Sequence, residues 1–239
     1  MRLYAGMLAV LWISLPLAAA NTANDPVNSA DRELLIAAGQ GQVARAEALL
    51  KAGANVNSVH PPWQLTPLLA ASELNFDIVK LLVARGAKVN VSDRDGMTPL
   101  MRAIVLRDLR MVKFLLNAGA QVNVADHRGH TAFTHAILRS DADIAKLLIA
   151  RGAETDVVTA MGTTTWSIAQ RMREAALDMR ERPTEKAHLH VPGQAGHAMR
   201  SKSESLVQTQ AVLDVLVEAG VKQRPQQPMV FDAMQYHRH

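Results

Sequence analysis

The chain has 239 residues, no cysteine, 4% aromatic residues, and a formal net charge of +4 from 26 basic and 22 acidic side chains. So small an excess of positive charge, with no basic stretch interleaved with aromatics, argues against nucleic-acid binding. The lack of cysteine removes disulfide frameworks, thiolate metal sites and cysteine nucleophiles. The Gly-x-Ser-x-Gly elbow, the His-Glu-x-x-His pair and the phosphate loop are missing too, so no catalytic residue is assigned and a non-enzyme is expected.

Met1-Arg2 precedes an uncharged run from Leu3 to Ala20 that ends in Ala18-Ala19-Ala20. One positive charge, a short apolar stretch and small residues before Asn21 make residues 1–20 an export signal. An uncleaved anchor is the alternative, since the run is barely long enough to span a bilayer; Pro16 and the small residues favour cleavage. Cleavage removes Arg2, lowers the formal charge to +3 and leaves no stable membrane anchor. The expected location is the periplasm, with secretion as the alternative. Residues 21–30 read as a lead-in.

From residue 31 the chain is periodic. Gly53, Gly86, Gly119 and Gly152 stand 33 residues apart and each is followed by alanine. The surrounding words recur: Leu49-Leu50-Lys51-Ala52-Gly53-Ala54-Asn55-Val56-Asn57, then Leu81-Leu82 to Asn90, Leu115-Leu116 to Asn123, and Leu147-Leu148 to Asp156. A period of that length marks a stacked repeat protein. About twelve residues past a glycine come Thr66-Pro67-Leu68-Leu69-Ala70-Ala71, Thr98-Pro99-Leu100-Met101-Arg102-Ala103 and the drifted Thr131-Ala132-Phe133-Thr134-His135-Ala136. Threonine caps a helix, and proline at the next position supplies the right φ with no amide to waste. A short helix is followed by a polar break, such as Gly39-Gln40-Gly41 or Leu106-Arg107-Asp108. A second helix comes next, with apolar residues such as Ile78, Val79, Leu81 and Leu82 at inward spacing. Glycine then ends that helix, and the chain enters an extended finger.

Five units are expected, near 31–57, 58–90, 91–123, 124–156 and 157–222. The first carries Arg45 where its siblings carry Ile78, Met111 and Ile144, as a polar cap would. The second finger holds His60-Pro61-Pro62-Trp63, and a tryptophan beside rigid Pro-Pro suggests a binding anchor. The fifth unit is split. Thr164-Thr165-Trp166 opens its first helix, and Trp166 reads as core with an indole N–H that needs a partner. The matching Val212, Leu213, Val215, Leu216 and Gly220 arrive about 35 residues late. An insertion over about 174–204 is expected, helical at first and then a loop beyond Pro183. Residues 223–239 form a C-terminal tail.

His188, His190 and His197 in the insertion could offer imidazoles to a transition metal, with Met199, Met229 and Met234 as soft ligands. No second shell is evident to orient them. No metal site and no cofactor are therefore assigned, and these histidines stand as the alternative.

The Thr-Pro-Leu and Gly-Ala words resemble the ankyrin repeat over roughly Asp31 to Lys222. The resemblance implies an all-α fold, an α-solenoid of about five ankyrin repeats, whose fingers and first helices form a concave surface for an unidentified protein partner. Carried over by position, that surface includes Pro62, Trp63, Leu65 and Glu73, then Arg94, Asp95, Met97, Val105 and Leu106. His127, Arg128, His130 and Leu138 follow, and then Met161 and Arg171. His135, on the helix after this finger, reads as packed. Similarity to exported bacterial ankyrin proteins implies a scaffold that inhibits or protects against an enzyme, and a monomer is expected. The alternatives are support of peroxide defence through a catalase, or metal or haem handling by the histidine loop.

Overall fold

The computed structural model describes residues 29–73, 75–181 and 202–221. The leader, the tail and the loop with His188, His190 and His197 lie outside the described residues. Ten helices are found among the described residues, and they come in pairs. In chain order they are α1 (Ser29–Gly39) with α2 (Val43–Lys51), α3 (Pro67–Ala71) with α4 (Phe76–Ala84), and α5 (Pro99–Val105) with α6 (Leu109–Asn117). Two further pairs follow, α7 (Ala132–Leu138) with α8 (Ala142–Ala150) and α9 (Thr165–Glu181) with α10 (Lys202–Glu218).

Local chemistry sets the helix starts. Thr66, Thr98 and Thr131 sit in extended backbone, and each side-chain oxygen accepts from the amide three residues on, at 3.2, 3.3 and 3.4 Å. Pro67 and Pro99 occupy the first helical position, where no amide partner is needed. Asn75, Asp108 and Asp141 cap the second helices in the same way.

The stops are equally local. Gly53, Gly86, Gly119 and Gly152 all adopt positive φ, between 82° and 93°, and the alanine after each donates its amide to a carbonyl five residues back, at 2.9–3.0 Å. This is the Schellman closure of a helix end. A Cβ at these glycines would meet nothing within 4 Å, so the period is enforced by backbone conformation and not by crowding.

Helices of nine residues or fewer are marginal alone, and packing completes them. The chain forms two compact units, one running to His127 and one from Arg128 on. In the first, α3 stacks on α1 and α4 on α2, burying Leu34, Leu68, Leu69, Ile78 and Leu82 to 1% exposure or less. Arg45 stays exposed and pairs with Glu33 at 3.1 Å, giving the first repeat a polar flank. On the second helices, Phe76 meets Phe114 edge to face at 5.4 Å, and the Arg110 guanidinium stands 3.9 Å from the Phe76 ring centre. In the second unit, α9 stacks on α7 and α10 on α8, with Phe133, Ile137 and Leu148 fully buried.

The last pair departs from the others in length. α9 and α10 have 17 residues each, against nine in α8. α10 begins ten residues ahead of Val212, where the apolar spacing starts. α9 and α10 pack against each other, and Thr209, ahead of that apolar spacing, is only 3% exposed. Trp166 is half-buried, and its indole Nε1 finds no hydrogen-bond partner among the described residues.

Candidate protein-binding face

The face is built from fingers, and each finger is held by its own turn. In the second repeat the amide and carbonyl of His60 pair with the carbonyl and amide of Leu65 at 2.8 and 3.1 Å, which closes a tight tip. Beneath it the buried His60 ring meets Ser58 Oγ at 3.0 Å. The tip projects Trp63, which is 56% exposed, and the next residue, Gln64, takes φ +54°. A non-glycine residue in that region costs conformational energy that the surrounding turn must offset.

The third finger turns on Asp93, whose carboxylate accepts from the amides of Asp95 and Met97 at 2.8 and 2.9 Å. It is joined to the tip before it. The Arg94 amide donates to the Trp63 carbonyl at 3.0 Å, and the Arg94 guanidinium carbon lies 5.8 Å from the Trp63 ring centre. This is cation–π range. The link recurs one finger on, where the His127 amide donates to the Asp95 carbonyl at 3.1 Å. Pro62, Asp95 and His127 are exposed, Leu65, Met97 and Val105 are half-buried, and Leu106 is 50% exposed.

Glu73, expected on the open face, is engaged instead. Arg102, on α5, directs one terminal nitrogen to Glu73 and the other to Asp93. The three side chains are 14%, 15% and 7% exposed. Burial lowers the Arg102 guanidinium to about 10, and burial likewise pushes the Asp93 carboxyl up. The cluster ties the end of α3 to the base of the next finger, and it lies under the face, not on it.

Asparagines at the end of the Val-Asn words bind one repeat to the next. Asn57 Nδ2 donates to the Gly86 carbonyl at 3.1 Å and its Oδ1 accepts from the Lys88 amide at 2.8 Å. Asn90 repeats both bonds to Gly119 and Gln121, at 3.1 and 2.9 Å. Sequence reasoning recorded these residues as part of a motif and missed the clamp. Its signal is the recurrence of asparagine itself, the residue that can donate and accept at once.

In the second unit Thr159 sets the finger, accepting from Thr163 N at 3.2 Å through its hydroxyl. The Ala160 amide donates to the Arg128 carbonyl at 3.0 Å. Met161 at the tip is 74% exposed and Val158 50%; Arg128 and Arg171 are exposed and Leu138 is half-buried. The rings of His130 and His135 meet edge to face at 5.5 Å and 62°. Between α9 and α10 runs a groove of about 440 Å³, lined by Leu177, Leu206, Val207 and Ala211 together with Arg173 and Asp214.

The arrangement offers hydrogen bonding, an aromatic anchor and apolar contact on rigid turns. Comparison with known proteins agrees with that architecture. Residues 34–126 match the family model described as Ankyrin repeats (3 copies). Over 74 residues the chain is 36% identical to the 2-5A-dependent ribonuclease of Mus musculus, an alignment covering 30% of this chain and 10% of that protein. The chain thus spans about a tenth of the length of that relative.

Proposed function

Because residues 34–126 match ankyrin repeats, a fold whose repeats generally bind protein partners, we propose that this chain is a non-catalytic scaffold that docks on one partner protein. It does so through its fingers and first helices, as a monomer, after export to the periplasm, and it inhibits or protects against an enzyme there. The observation that supports docking is Trp63. An indole 56% exposed, carried on a closed tip and fixed at its carbonyl by the Arg94 amide at 3.0 Å, is a preorganised aromatic anchor. Aromatic and arginine side chains dominate binding energy at protein interfaces, and a rigid tip loses little entropy on contact. Pro62, Arg94 and Asp95 surround the anchor, and Arg128, Met161 and Arg171 extend the contact set on the second unit. The export address rests on the leader pattern of residues 1–20.

Affinity capture tests the reading, with full-length protein expressed, recovered from a periplasmic fraction and used as bait. Its N-terminus should read Asn21, and one partner should be enriched. Trp63→Ala should weaken that partner by about 30-fold, the size of a hot-spot loss, while leaving the helical circular dichroism unchanged. Equal binding by the wild type and by a Trp63→Ala, Arg94→Ala variant would remove the anchor. A leader retained on cytoplasmic protein would remove the address.

A further inference from the structure

His130 and His135 occupy related positions in the fourth repeat. His130 is the finger residue just ahead of the cap Thr131, and His135 lies one turn into α7 (Ala132–Leu138). The corresponding pairs in the other repeats are Leu65 with Ala70, Met97 with Arg102, and Thr163 with Ile168. The place where those repeats put a packing pair or a salt-bridging arginine is here filled by two imidazoles. Their ring centres lie 5.5 Å apart, and a nitrogen of each lies within 4.8 Å of the other.

We propose that His130 and His135 form a two-imidazole site for a borderline divalent transition ion, with Zn2+ as the fitting probe. Two imidazoles on one tetrahedral ion at Zn–N distances near 2.0–2.1 Å have nitrogens roughly 3.4 Å apart, so small side-chain rotations bring both onto one ion. His135 is only 9% exposed, which fixes its ring, whereas the half-buried His130 on the finger is the arm that adjusts. The two donors are imidazoles, which suit Zn2+, Ni2+ or Cu2+ and not the all-oxygen shells of Mg2+ and Ca2+. Two protein nitrogens leave coordination positions open at the surface for water or for a donor from another molecule. The proposal does not depend on the docking reading.

The test is calorimetric titration of the full chain with Zn2+ in excess Mg2+, with Co2+ substitution read from its visible d–d bands. The expected result is one ion bound per chain at this site, lost in His130→Ala and in His135→Ala, and retained in His127→Ala. Helical circular dichroism and melting temperature accompany each variant. Should His135→Ala fail to fold, His130→Ala and His135→Gln decide. Stoichiometric binding that persists in the His130 variant, or a wild-type chain that binds no Zn2+, overturns the proposal.

Discussion

Replacing Arg102 with methionine isolates the buried charge cluster. The substitution keeps a long apolar side chain on α5 and removes one cation from between two carboxylates. Glu73 and Asp93, 15% and 7% exposed, are then left without their guanidinium. Breaking a buried ion pair from one side costs about 3–5 kcal/mol, because the remaining charge stays out of water unpaired. Asp93 keeps the amides of Asp95 and Met97, so most of the cost falls on Glu73. An Arg102→Met, Glu73→Leu double variant should therefore recover roughly half of the loss, or about 2 kcal/mol. The sign with pH follows from the same burial. A carboxyl whose folded pKa is raised favours folding in its protonated form. That stability is fully present below the unfolded pKa and is lost as pH rises through the folded pKa. Burial already pushes Asp93 up in the wild type, and removing Arg102 takes the neighbouring cation from both carboxylates, which favours their protonated forms. The deficit of the variant should be largest at pH 7.5 and shrink by pH 5. Surface carboxylates act oppositely: hydrogen bonds from Lys51 and Lys80 lower Glu47 and Asp77, so their contribution is lost on acidification. Subtracting the wild type at each pH cancels it. Urea unfolding followed by circular dichroism and tryptophan fluorescence measures the difference. A cost below about 1 kcal/mol at pH 7.5, the level of an exposed pair, would refute the reasoning. A deficit that does not shrink on acidification would refute it as well.

Two further outcomes follow from the fingers and the repeat junctions. Gly129 and Gly152 share positive φ, at 78° and 82°, so alanine at either should cost about 1–2 kcal/mol from backbone conformation. At Gly129 a Cβ would also lie 2.5 Å from the Ala160 amide nitrogen, whereas at Gly152 it meets nothing within 4 Å. Gly129→Ala should therefore lower the melting temperature clearly more than Gly152→Ala, and equal losses would show that the fingers are not in contact as described. Asn90→Ala removes two bonds that water can partly replace and should cost about 1 kcal/mol. Asn90→Asp keeps the acceptor for Gln121 and should retain protection of that amide in hydrogen exchange, which the alanine variant loses. Identical exchange in the two variants would dismiss the clamp.

Features that one residue type achieves alone were legible in the sequence. Thr66-Pro67 and Thr98-Pro99 start helices through a hydroxyl and a fixed φ, and Gly53 to Gly152 end them through a backbone conformation that other residues avoid. Trp63 was legible as an exposed tip residue because Pro-Pro beside it rules out regular structure. Features that need a partner about thirty residues away were not. Asn57 reaches Gly86 and Lys88 only once the repeats have stacked. Arg102, a charged residue on a short helix, reads as solvent-facing until Glu73 and Asp93 are brought to it. The early turns of α10 escaped because their residues are polar, and the apolar spacing that reveals a helix starts only at Val212.

The backbone link between neighbouring fingertips bears on how such an array changes by recombination. Arg94 supplies both the amide that holds the Trp63 carbonyl and the guanidinium beside its ring. The unit of inheritance for this contact is therefore a junction and not a repeat. A second repeat transplanted into another array would bring the tryptophan without its brace, and a duplication inserted between residues 90 and 91 would separate the two. Point substitution elsewhere at the tips leaves this contact in place. Gain or loss of whole repeats preserves it only where the junction carrying Trp63 and Arg94 is left uncut.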